Sequence, residues 1–211
     1  MADNEKRMAG SYEITQALRV GDREVVFGID PSSDKPYFCA LYQKIFEIIQ
    51  YRERYEECFV SDNFVEVAEQ FAEYVQVQCQ KVREEWAKVT VPRLRMTQEM
   101  CYPNDYEQDI NGKIVAIRPS SLFPEYQSAD HQLVLVDGGF GASANSRGTT
   151  CFCVNLYTGE TTTWRRNQVL GEVKPEYLPE WAKIRAAEIR LKMEQERKEP
   201  PRKPTKKARE R

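Results

Sequence analysis

The chain has 211 residues, with 31 Lys+Arg against 33 Asp+Glu and a formal net charge of −2, which is room for one generous domain or two small ones. Its 41% hydrophobic and 11% aromatic content supplies enough apolar surface for a core and argues against wholesale disorder, and no apolar run approaches the roughly 20 residues that cross a bilayer. The charge is unevenly placed: residues 183–211 hold 12 Lys/Arg and 5 Asp/Glu, a balance of +7, which leaves −9 on the first 182.

The N-terminal arm, residues 1–11, begins Met1-Ala-Asp-Asn-Glu-Lys-Arg. It mixes charges and leads into no apolar segment, so it does not read as a secretory signal, and a cytoplasmic location is expected. Residues 12–91 read as a first domain. Tyr12–Arg19 alternates as a strand, Val20-Gly21-Asp22-Arg23 is a turn, and Glu24–Ile29 is a β-branched and aromatic partner strand, ended by the loop residues Asp30–Pro36. Tyr37–Phe59 is rich in Tyr, Phe, Ile and Cys, and the stretch Lys44–Glu57 fits neither the strand nor the helix period cleanly. After Ser61-Asp62-Asn63, with Glu66 three residues on from Asn63 in the manner of a capping box, the residues Phe64, Ala68, Phe71, Val75, Cys79, Val82, Trp86 and Val89 recur at spacings of three or four. They predict the apolar face of one long helix that packs on the N-terminal strands.

Pro92 ends that helix, and residues 92–109 lack periodicity and read as a linker. From 110 to 174 the pattern is of short strands: Lys113–Arg118, Gln132–Val136, Thr149–Tyr157, Glu160–Arg166 and Val169–Val173, the third and fourth joined across Thr158-Gly159. Such spacing predicts a small SH3-like β-barrel. Residues 175–196 read as a C-terminal helix, and residues 197–211, with Pro200-Pro201-Arg202-Lys203-Pro204-Thr205-Lys206-Lys207, as a disordered basic tail. The expected fold class is therefore α+β: antiparallel strands on one long helix, then a small barrel with a C-terminal helix.

Signs of enzymatic chemistry are few. His131 is the single histidine, no Ser/Cys/His nucleophile pattern surrounds it, and the phosphate-loop, dinucleotide and His-Glu-x-x-His motifs are absent. No catalytic residue and no cofactor is expected. The six cysteines at 39, 58, 79, 101, 151 and 153 lie in a chain expected to stay in a reducing compartment, which argues against disulfides. Cys101, His131, Cys151 and Cys153 are weak candidates for a metal, but Cys151-Phe152-Cys153 reads as a strand with both thiols on one face, not as a zinc knuckle.

Three segments carry binding candidates. Gly138, Gly139, Phe140, Gly141, Ser143, Asn145 and Arg147 form a glycine-rich loop that can present backbone N–H groups and a guanidinium to an anion. The simpler reading is a connecting loop whose Phe140 plugs the end of the barrel. Trp164, Arg165 and Arg166 put an aromatic beside two cations, a patch for a base and a phosphate or for acidic groups of a protein, or else an ordinary half-buried tryptophan with solvated arginines. Lys203, Lys206 and Lys207 belong to a tail that is either a nucleic-acid tether or a solvating extension.

The block Gly112-Lys-Ile-Val-Ala-Ile-Arg-Pro through Leu133–Gly148 to Leu156-Tyr-Thr-Gly-Glu and Val169-Leu-Gly-Glu-Val resembles a small domain of accessory proteins from conjugative elements of Firmicutes. The segment Ser61-Asp-Asn-Phe-Val-Glu-Val-Ala-Glu-Gln-Phe-Ala is similar to another domain of such elements. The resemblance implies a mobile-element protein like the type II anti-CRISPR cargo proteins, a non-enzymatic binder of Cas9 or its guide RNA complex with no membrane partner. It leaves two alternatives: an accessory RNA- or DNA-binding protein for transfer or regulation of the element, and a nuclease acting on guide RNA.

Overall fold

The computed structural model describes residues 6–47 and 50–198. The first five residues of the arm and the tail with Lys203, Lys206 and Lys207 lie outside the described residues. Helix and sheet are mixed, in two compact units that divide between Thr90 and Val91.

The first unit is an antiparallel meander of β1 (Met8–Ala9), β2 (Tyr12–Val20), β3 (Arg23–Ile29), β4 (Tyr37–Glu47) and β5 (Gln50–Ser61), hydrogen-bonded in that order, followed by α1 (Phe64–Lys88). The ambiguous stretch Lys44–Glu57 is a hairpin, pairing Tyr37 with Ser61 at one end and Glu47 with Gln50 at the other. Its periodicity is blurred by a bulge opposite Ala40, where Glu57 takes a positive φ of 51°, so the side chains change face partway along the strand. One face of the sheet holds Val26, Phe38, Ala40 and Tyr42, buried with Tyr12 and Tyr55. The other holds Phe27 and Cys39 against α1.

The helix starts as expected. Asn63 Oδ1 accepts from Val65 N–H at 3.0 Å, and Glu66 accepts from the Asn63 amide and the Ser61 hydroxyl, while Ser61 Oγ rather than Glu66 takes the Asn63 N–H. Its buried face is rotated from the expected one. Val67, Gln78 and Val82 are the fully buried positions, Phe71 and Tyr74 pack on the core between them, and Phe64 is 52% exposed. Tyr74 fixes the rotation by donating its hydroxyl to the Glu57 carbonyl at 2.6 Å, inside the β5 bulge.

The second unit contains β6 (Ile114–Ile117), β7 (Leu133–Gly138), β8 (Thr150–Asn155), β9 (Thr161–Arg165) and β10 (Val169–Glu172), in the order β10-β6-β7-β8-β9, all antiparallel. A one-turn helix, α2 (Ala129–Gln132), precedes β7, and α3 (Glu180–Lys198) follows the sheet. The sheet bends until it is nearly barrel-shaped. A single 3₁₀ turn at Arg166–Gln168 joins its two edges, Arg166 N–H donating to Thr149 and Arg118 N–H donating to Gln168. Val115, Ile117, Val134, Val136, Cys151, Cys153 and Val169 fill the inside. On the outer face Ala116, Leu133, Leu135, Val154 and Leu170 are covered by Ala182, Ala186 and Ile189 of α3.

Residues 92–109 are not a free linker; they belong to the second unit. They are held by single anchors, which leave no periodic signature. Met96 is buried and its N–H donates to Gln132 Oε1 at 2.8 Å, Cys101 bridges to Val173, and Asn104 Nδ2 donates to the Arg166 and Val169 carbonyls at 2.9 Å each. Among the described residues no helix is long and apolar enough to cross a membrane.

Candidate binding surface

Arg166, expected as a surface cation, is 1% exposed. Its Nε donates to Asn104 Oδ1 at 2.9 Å, one terminal nitrogen reaches the Gly141 and Ala142 carbonyls at 3.3 and 3.4 Å, and the other reaches the Asp105 and Gln108 carbonyls. The Tyr106 ring lies 5.5 Å away. Every acceptor is neutral, so the guanidinium is spent on tying the 104–108 segment to the glycine-rich loop and offers no donor to a ligand. It serves as a buried knot because the planar fork has five N–H groups, the number of acceptors present.

The loop tied from below is also pressed against β8. Gly139 has a φ of 101°, and a Cβ there would lie 2.4 Å from the Thr150 carbonyl oxygen; one on Gly141 would lie 2.4 Å from the Thr149 carbonyl. These glycines serve close backbone packing. They do not form an open nest for an anion. Ser143, Asn145 and Arg147 are exposed, and Asn145 takes a φ of 53° while its N–H donates to the Tyr106 carbonyl.

Phe140 does not plug the barrel; it is 80% exposed. Knotting from below and backbone packing from the side hold the loop so that its one large apolar side chain faces water. On β8, against which the loop packs, Phe152 is 54% exposed. Gly139, which precedes Phe140, packs its backbone on β8 there: an added Cβ would lie 3.1 Å from the Phe152 nitrogen. Phe152 pairs with Gly138 on one side and Thr163 on the other, so its direct cross-strand partners are small. Thr150 pairs with Arg165, which is exposed. Trp164 faces the opposite way, half-buried against the barrel interior, with Nε1 donating to Thr162 Oγ1 at 3.1 Å. Of the predicted patch only Arg165 is exposed: strand alternation turns Trp164 inward, and the 3₁₀ turn after β9 buries Arg166.

Phe152 is a surface residue that the binding candidates read from sequence do not include, although the signal for it is there. With the thiols of Cys151 and Cys153 on one face, the residue between them must stand on the other. Asn104 carries no sequence signal, because its partners are more than 60 positions away.

The metal candidates do not gather. Cys151 and Cys153 lie inside the barrel, Cys101 lies in the cluster under α3, and among the described residues no three His, Cys, Asp or Glu side chains meet. Burial pushes the thiols of Cys153 and Cys101 up to about 12 and about 11. His131 Nδ1 stands 2.8 Å from Oδ2 of the buried Asp130, and its ring stacks on Tyr126 at 4.7 Å. Burial raises the Asp130 carboxyl, but His131 and Ser128 outweigh it and hold the group below the usual range.

No family model matches the chain, and neither a characterised protein nor a solved structure matches it.

Proposed function

We propose that the protein acts by binding rather than by catalysis, as a mobile-element inhibitor of a host defence nuclease that engages Cas9 or its guide RNA complex. The observation that supports a binding role is Phe140, 80% exposed on a loop tied down by a buried arginine. A fold that fixes an aromatic in water forgoes about 1.5–3 kcal/mol of burial, and such a side chain is a preorganised point of attachment. The module carrying it is read as an SH3-like barrel, on the strength of the strand order, in which the fifth strand lies beside the first, and of the 3₁₀ turn before that last strand. The acidic first unit, with 17 Asp/Glu and 11 Lys/Arg in residues 1–90, suits a basic nucleic-acid channel as its counterpart.

Purification with tagged Cas9, with and without guide RNA, and a DNA-cleavage assay test the proposal. Co-purification and inhibited cleavage, both reversed by Phe140→Ala, are expected. Absence of both co-purification and inhibition would overturn it.

A further inference from the structure

We infer that the outer face around Phe140, Phe152 and Arg165 docks single-stranded nucleic acid, with unpaired bases on the two rings and phosphates on Arg165 and Arg147. The inference rests on the reading that the protein acts by binding through this face, and it names the ligand.

Three features select this ligand. Two rings are exposed on adjoining segments: Phe152, whose strand partners are a glycine and a threonine, and Phe140, on the loop that Arg166 ties down. Flat, accessible aromatic faces take unpaired bases with little regard to sequence, and each stacked base contributes substantially to binding. The charge matches too. Thr150, Phe152, Thr163 and Arg165 mark the outward side of β8 and β9 beyond the part that α3 covers at Val154, and none is a carboxylate. Arg147 is exposed on the same loop as Phe140. Finally, two grooves of this unit lie along α3. One of about 390 Å³ runs between α3 and Thr158–Thr161, another of about 360 Å³ between α3 and Asn111–Gly112. A duplex, whose bases are stacked inside, has nothing to lay on exposed rings, whereas a splayed single strand does.

Fluorescence anisotropy of the full chain with labelled oligothymidylate, and with a duplex of equal length, tests the inference. Phe140→Ala and Phe152→Ala are each expected to weaken oligothymidylate binding by about 5- to 150-fold and to leave duplex binding by the basic tail unchanged. Phe140→Trp should retain tight binding. Removing both cations, in Arg147→Gln with Arg165→Gln, should flatten the log–log salt dependence by about 0.7 for each phosphate that is no longer neutralised. Because Phe140 is mostly solvent-exposed, its replacement leaves the fold intact, which circular dichroism verifies. Absence of oligothymidylate binding by the wild type, equal binding by both alanine variants, or equal loss on the duplex would overturn the inference. If the wild type ignores oligothymidylate while Phe140→Ala abolishes Cas9 inhibition, the face binds protein; this inference fails and the proposed function stands. If oligothymidylate binding follows the substitutions while Cas9 is untouched, the function fails and the inference stands.

Discussion

Replacing Arg166 with methionine keeps much of the aliphatic volume and removes all five N–H donors. Four backbone carbonyls and Asn104 Oδ1 are then without this donor in a place shielded from water. The Ala142 and Asp105 carbonyls keep the Ile110 and Gln108 N–H groups, and an unsatisfied buried polar group costs about 1–3 kcal/mol, so the other three acceptors set an upper bound of about 9 kcal/mol. Two of the hydrogen bonds are long, at 3.3 and 3.4 Å, and the 104–108 segment can loosen and admit water. No charge is left behind, because every acceptor is neutral, so the loss is that of hydrogen bonds alone, and we expect about 3–5 kcal/mol for the second unit, roughly half the bound. Lysine keeps the charge but has three donors on a compact ammonium, so Arg166→Lys should fall between methionine and wild type. The assay is urea unfolding followed by the fluorescence of Trp164 and Trp181, both in the second unit, checked by calorimetry. Hydrogen exchange of the loop amides should accelerate in parallel. An Arg166→Met protein within 1 kcal/mol of wild type, about the size of one ordinary hydrogen bond, would refute the claim that this guanidinium organises the binding surface.

Further expectations concern the glycines, the buried carboxylate and the thiols. Gly141→Ala forces a Cβ to within 2.4 Å of the Thr149 backbone and should destabilise the second unit by about 2–4 kcal/mol. Gly112→Ala meets no atom within 4 Å but keeps a φ of +71° and should cost only about 1 kcal/mol; urea titration of the two separates crowding from strain. The Asp130 carboxyl is held below its usual range, so its contribution is complete above the unfolded carboxylate pKa of about 3.9 and is lost as pH falls through the lower folded value. Asp130→Asn should remove that part of the acid sensitivity, seen as a shallower fall in melting temperature from about pH 4 downward, where the unfolded group titrates. Iodoacetamide on the native protein should modify the exposed Cys58 first and spare Cys39, Cys101, Cys151 and Cys153, which are buried; peptide mass spectrometry reads the order.

The elements with local causes are readable from the sequence. The Gly21 turn, the Asn63 cap and the alternation through Cys151-Phe152-Cys153 each follow from neighbouring residues, and the strands and long helix appear close to where these signals put them. What escapes a sequence reading is the effect of distant partners. The rotation of α1 depends on Tyr74 meeting a bulge carbonyl 17 positions earlier. The fate of Arg166 depends on carbonyls 58 to 61 positions back at Asp105 and Gln108, and 24 and 25 back at Ala142 and Gly141. Arg165 and Arg166 look alike as sequence, and only the turn that follows β9 makes one a surface cation and the other a buried knot. Phe140 stands out for its setting among glycines, yet it points outward and not into the barrel, because composition does not say whether a loop folds its aromatic in or out.

The most direct test of the central claim is amide chemical-shift mapping of the full chain titrated with oligothymidylate. Saturable shifts centred on Phe140, Gly148, Phe152 and Arg165, absent in Phe140→Ala, are the predicted result. Shifts confined to the tail or to the first unit, with the resonances of this face unmoved, would contradict it.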